Sequence, residues 1–257
     1  MLDFRPACAL ALFAASAALL PPTTARVREF ASWFARPATL PFSWRALQEA
    51  ATAGDAEEAF ARGQRIMQLL PQWVEGHCAF AFRYALTEDD SVTAEQAAAA
   101  AERRLHVALA QIAQARAFAG DREPDLLQSS ALLIDIACRR FEGLAERLQA
   151  RGGAMVLADR YLAEAERLFP SAALREQRTF RTPLLAAALL QAGRTRDAID
   201  VLRAAIDRAA EVRDRQLATE WAARLQEAIG WLSGDRTVDR TEIFADRRLA
   251  PLWPHLR

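Results

Sequence analysis

Three histidines, His77, His106 and His255, are the only imidazoles in the chain for proton transfer or metal ligation. His77 is followed directly by Cys78, but the next histidine is far along the chain. Metal sites need ligands at short, repeated spacings that bring them to one ion, so His77 reads as a core or surface histidine. The acidic cluster Glu88-Asp89-Asp90, with Ser91 and Thr93, offers oxygens that suit a hard cation. It lacks the alternating ligands and central glycine of an EF-hand and reads as a solvated loop, with Thr93 and Gln96 capping the next helix. Cys8, Cys78 and Cys138 stand singly and read as small buried side chains; a Cys78–Cys138 disulfide stays open for an oxidising compartment. There is no G-x-S-x-G, G-x-G-x-x-G or H-E-x-x-H. The expectation is a non-enzymatic protein with no catalytic residues, no cofactor, no metal and no small-molecule substrate. The alternative, an enzyme on a helical scaffold, requires a deep pocket of converging polar groups.

The charged residues narrow the partners. All 33 basic residues are Arg, balanced by 33 acidic ones, and the chain has neither Lys nor Asn. Base composition of the coding sequence explains both absences more simply than selection for Arg chemistry. They still exclude a Schiff-base lysine, a Walker-type phosphate lysine and a Cys-His-Asn triad. Zero net charge argues against nucleic acid as the main partner, which would demand a basic excess.

The elements that carry these residues are helices. The chain is rich in Ala, has only 10 Gly, and spaces its leucines at helical intervals. The fold class expected is all-α. A length of 257 residues fits one or two compact domains or one elongated array. Gly54, Ala59 and Pro71 recur at the same spacing as Gly153, Ala158 and Pro170, and Gly193 with Ala198 repeats the first interval, Ala210 standing where the proline would fall. Each glycine is expected to end a helix in a left-handed cap. Asp55 then caps the next helix, with Glu58 closing a capping box. The alanine lets two helices approach, and the proline ends the second.

This pattern resembles the tetratricopeptide repeat, a helix-turn-helix unit of 34 residues. Trp44 and Leu47 look like its first signature positions, although Ala59 falls one residue early. His77, Phe80, Ala81 and Tyr84 stand where W, L, G and Y are expected; Leu185, Ala186 and Leu189, then Ala198, Leu202 and Ala205, match a later unit. The loop after Tyr84, a long helix from Thr93 to Ala119, the break at 120–125 and a helical run from Leu126 to Arg151 depart from the pattern. The resemblance implies an α-solenoid of antiparallel helix pairs over residues 44–232, preceded by one N-terminal hydrophobic helix and followed by a tail, 233–257. The last strong helix, Asp214 to Leu232, closes the array, and Ile243, Phe244, Leu249, Leu252 and Trp253 are expected to fold back on it.

Repeats of this kind present a concave surface to a protein or peptide. By the family's geometry, the positions facing that groove fall on Glu75, Phe82, Phe180 and Leu190. Arg175, Arg178 and Arg181, three apart on one helix face, could grip a partner's carboxylates in bidentate pairs; the alternative is an Arg row balanced by Glu176 and nearby acids.

Residues 1–25 hold an uncharged run, Ala7 to Leu20, between Arg5 and Arg26, closed by Pro21 and Pro22. As a helix the run spans roughly 21 Å, short of a hydrocarbon core of ~30 Å. Counting from Pro6 to Ala25 gives about 20 uncharged residues, enough to span. Phe30, Trp33 and Phe34, with Arg28 and Arg36, suit a membrane interface and make residues 26–43 a juxtamembrane linker. The leading reading is a retained single span with the repeat domain on the cytoplasmic side. The alternatives are an exported or periplasmic protein whose signal peptide is cleaved near "ASA" or "TTA", or a buried helix of a soluble protein.

Overall fold

Alanine-rich stretches with apolar side chains three and four apart form helices that bury one face each among the described residues. The computed structural model describes residues 25–88, 93–237 and 240–256, apart from the side chains of 25–38, 94, 240 and 242. Among these residues helix is the only regular secondary structure. The N-terminal hydrophobic helix expected over residues 1–25 lies, but for Ala25, outside the described residues, and no described helix is long and apolar enough to cross a membrane. The chain divides into two units: the described residues of Met1–Tyr84 with Ala110–Gly120, and those of Ala85–Leu109 with Asp121–Arg257.

Unit 1 contains α1 (Ala25–Thr52), α2 (Ala56–Leu69), α3 (Val74–Ala85, up to Tyr84) and the end of α4 (Ala94–Ala119). The stretch 26–43, read as a linker, is helical and part of α1. Gly54 turns the chain at φ 76°, and its neighbour Asp55 donates its backbone N–H to Ala50, which ends α1 in a Schellman cap. Asp55 then accepts from the Glu58 N–H at 2.9 Å and starts α2. The capping box expected here is only half made. The Asp55 N–H is already committed to Ala50, so the Glu58 carboxylate turns instead to Arg62. On α2, Phe60, Gly63, Ile66 and Met67 form the buried face. Tyr84 stacks on Phe60 with ring centroids 4.0 Å apart and donates its hydroxyl to Glu57 at 2.6 Å, which joins α3 to α2.

Unit 2 begins with the rest of α4, where Thr93 and Gln96 form the expected reciprocal capping box. It continues through α5 (Glu123–Arg140), a short α6 (Leu144–Arg147) running into a 3₁₀ turn (Leu148–Arg151), α7 (Ala154–Leu168), α8 (Ala172–Gln191), α9 (Thr195–Ala209), α10 (Arg215–Leu232), α11 (Arg240–Ala245) and a 3₁₀ segment (Arg247–His255). The single run expected from Leu126 to Arg151 is broken at Gly143, whose φ of 80° lies in the left-handed region that favours glycine, while Phe141 and Leu144 turn inward on either side. Helices then pack in succession: α5 on α7, α7 on α8, α8 on α9, and α9 on α10.

Three turns of unit 2 share the Schellman geometry of Gly54. Gly152, Gly193 and Gly234 have positive φ, and the N–H following each reaches back five residues, from Gly153 to Leu148, Arg194 to Leu189 and Asp235 to Gly230. The capping glycine of the second turn is therefore Gly152 and not Gly153, which sits at φ 93°, ψ 150° as the first residue of the next segment. The apparent Gly–Ala–Pro register slips there by one. The three glycines lie 41 residues apart, longer than the 34 of the tetratricopeptide unit. The alanines differ as well: Ala158 and Ala198 are fully buried, whereas Ala59 is half-buried and Gly63 takes the close approach in unit 1.

The tail folds back, but chiefly elsewhere than expected. Ile243, Leu249, Leu252 and Leu256 are fully buried in one cluster with Leu185, Leu189, Leu202, Trp221 and Leu225. The 3₁₀ segment packs on α8, and α11 lies on α10. Trp253 donates its indole N–H to the Ile243 carbonyl at 3.3 Å and lies against Phe244. The Arg248 guanidinium covers the Trp221 ring at 4.9 Å, a cation–π contact that tightens this seat.

Candidate functional site

The arginine row of α8 looks into unit 2. Arg178 forks onto Asp159 through Nε at 3.2 Å and a terminal nitrogen at 3.1 Å, and its other terminal nitrogen donates to Glu166. Arg181 grips Asp135 of α5 with both terminal nitrogens, one at 2.9 Å. Arg175 pairs with Glu166 and with Glu211 beyond α9. Burial alone would lower the Arg178 pKa; the hydrogen bonds and charges of Asp159 and Glu166 outweigh it and hold the guanidinium above its ordinary value. Burial depresses the neighbouring Arg208, and Arg178 adds to the effect. Arg208 donates to Thr182 at 3.2 Å. Arg175, Arg178 and Arg181 thus tie α8 to α5, α7 and the α9–α10 turn, answering acids of this chain.

The other expected residues fall in different settings. Glu75 is exposed in the first turn of α3, and Phe82, two turns on, is half-buried; both belong to unit 1. Phe180 belongs to unit 2, half-buried with its ring centroid 5.5 Å from that of Trp221. Leu190 is half-buried against the same cluster. Cys78 and Cys138 are free thiols. Burial, with Asp135 and Glu146 nearby, pushes the Cys138 thiol up to about 11, so it is a poor nucleophile at neutral pH. Among the described residues no group of His, Cys, Asp and Glu is placed to hold a metal ion.

An aromatic face on unit 1 was not anticipated. Trp44 of α1 meets Trp73 edge to face at 6.1 Å and lies 6.3 Å from Phe80. Two glycines recess these rings into the helices. A methyl group at Gly76 would stand 2.2 Å from the Trp73 ring, and one at Gly63 would stand 2.7 Å from Phe80. Trp44 and Trp73 are each 38% exposed, and Phe42 is 75% exposed. The repeat signature marked Trp44 only as a first signature position. The usable signal was Trp73, an indole three residues before a glycine at a helix start, where the ring can lie on bare backbone.

Unit 2 carries an open cleft of about 550 Å³ between α10 and the tail, lined by Glu220, Arg224, Glu227, Asp246, Arg247 and Arg248. Its charges largely answer one another: Arg224 pairs with Glu227, and Arg248 with Asp246, whose carboxyl is held below the usual range by that hydrogen bond. Fold and surfaces together define a class, an all-helical protein whose successive helices pack on one another in unit 2 and whose unit 1 carries a half-exposed aromatic face. No protein-family model, curated protein or solved structure matches the chain.

Proposed function

We propose that this protein is a non-enzymatic scaffold, a helical-repeat array held at a membrane by residues 1–25, which recruits a protein partner through an uncharged, apolar peptide segment. The observation that carries the reading is the Trp44–Trp73–Phe80 face, with rings fixed by each other and by Gly63 and Gly76 yet open to solvent. Indoles held this way present large contact area at little further entropy loss, the property that marks binding hot spots. An array is supported by the Schellman turn recurring every 41 residues in unit 2. It is further supported by Phe180 and Trp221, also 41 apart, touching as equivalent positions of stacked repeats would.

The test places a photo-crosslinking residue at position 73 of the full chain in its native membranes, with a control at the exposed Arg203. A discrete protein adduct is expected from position 73, absent at 203 and lost when Trp44→Ala removes the ring that faces it. An adduct pattern identical at both positions, or none at 73, removes the reading. Intact mass of the mature chain decides attachment: loss of the first 17 or 25 residues, at "ASA" or "TTA", makes the protein exported and not anchored.

A further inference from the structure

A chain of hydrogen bonds runs through the interior of unit 1 and has one direction only. His77, 4% exposed, lies with Nε2 3.2 Å from the Pro71 carbonyl oxygen. A carbonyl only accepts, so Nε2 carries the hydrogen and Nδ1 is left as an acceptor. The Gln111 amide nitrogen donates to Nδ1 at 3.1 Å, and the Gln64 amide nitrogen donates to the Gln111 oxygen at 3.2 Å. Gln111 on α4 is 6% exposed, while Gln64 on α2 is half-buried. Three elements, α2, α3 and α4, are thus joined by one polarised relay.

We propose that this relay is an acid-sensitive lock: in the polarity it has here it joins α2, α3 and α4 only while the His77 ring is neutral, and a proton taken up at Nδ1 forces the ring's amide partners to turn or part. With Nδ1 protonated, the ring points an N–H at the Gln111 N–H₂. Gln111 must turn its oxygen inward to relieve this, which aims its own donors at those of Gln64, so Gln64 must turn as well. Unless both amides invert, a buried donor stands unpaired, at a cost far above that of a missing surface bond. Among the described residues no charged side chain hydrogen-bonds the ring. The ring's polar partners are the Pro71 carbonyl and the Gln111 amide, with Gln64 behind Gln111, and the charged residues of its own helix, Glu75 and Arg83, are exposed. Burial lowers the ring's affinity for protons below the ordinary value near 6.5, against the smaller opposing effect of the Pro71 carbonyl. The lock is therefore whole above about pH 6.5. Below it the unfolded chain takes up a proton that the folded one resists, and stability drains away.

The test uses the full chain and hydrogen exchange, corrected for intrinsic rates, at pH 7.5 and 5.5, with α8–α10 as internal reference. Protection of 56–83 and 110–119 is expected to fall relative to that reference, by up to about tenfold per pH unit. Ring ¹⁵N shifts are expected to show the Nε2–H form at the higher pH. Gln111→Glu supplies an acceptor to both the protonated ring and Gln64, so it reverses the response and makes unit 1 better protected in acid. His77→Gln flattens it. An Nδ1–H ring, a response unchanged by His77→Gln, or a Gln111→Glu chain that still loosens in acid would overturn the lock.

Discussion

Arg178 shows what a guanidinium does that no ammonium can. Its planar fork meets Asp159 along one edge and Glu166 with the remaining nitrogen, between two helices where little solvent reaches. Lysine in its place would satisfy one carboxylate and strand the other, at a cost of about 2 kcal/mol, below a fully buried pair because Asp159 keeps some water. Urea unfolding of Arg178→Lys checks this, with Arg203→Ala as control. Arg203 and Asp200 are 61% and 69% exposed, and that exchange is expected to stay within about 0.5 kcal/mol. The sequence showed that Arg175, Arg178 and Arg181 share a helix face. It could not show that the face turns inward, because Asp135, Asp159 and Glu166 sit on other helices, and only packing brings them into register. His77 was legible in part: the sequence left it a core or surface histidine, and unit 1 buries it. Gly76→Ala belongs at this scale too. The methyl group displaces the exposed Trp73 ring and leaves the core alone, so partner capture is expected to fail while the unfolding midpoint moves little.

Among the elements, the turns were the most legible, and their details the least. Four glycines close helices in one geometry, and the sequence marked two of them, Gly54 and Gly193, correctly. At the third it chose Gly153 over Gly152, since spacing to Ala158 and Pro170 favoured it. Hydrogen bonding decides otherwise, because the N–H that reaches Leu148 belongs to Gly153. The two glycines therefore tolerate change differently. Asn enters the left-handed region readily, so Gly152→Asn is expected to cost a few tenths of a kcal/mol. At φ 93°, ψ 150° only glycine is comfortable, and Gly153→Asn is expected to cost about 1–3 kcal/mol. Thermal unfolding of the pair settles the assignment; equal midpoints would refute it. The missed break at Gly143 has the same origin: an Ala- and Leu-rich sequence favours helix on both sides, and only the burial of Phe141 and Leu144 forces the turn between them.

For the whole molecule, the sequence indicated an all-helical chain and a returning tail, but neither the division into two units nor the seat of the tail on α8. Both depend on contacts between residues far apart. Ile243, Leu249, Leu252 and Leu256 each bury completely, worth roughly 2 kcal/mol apiece. Together they are a large share of the about 5–15 kcal/mol that keeps a domain folded. A chain ending at Gly234 is expected to lose exchange protection throughout α8 and α10; protection at the full-length level would mean the tail is dispensable. That long-range closure has a consequence during synthesis. Leu185 leaves the ribosome about sixty residues ahead of Leu249, its neighbour in the finished core. Once Trp221 has emerged it lacks the tail's cover until Leu249 follows, about thirty residues later, and a translational pause in that stretch is expected to raise chaperone binding.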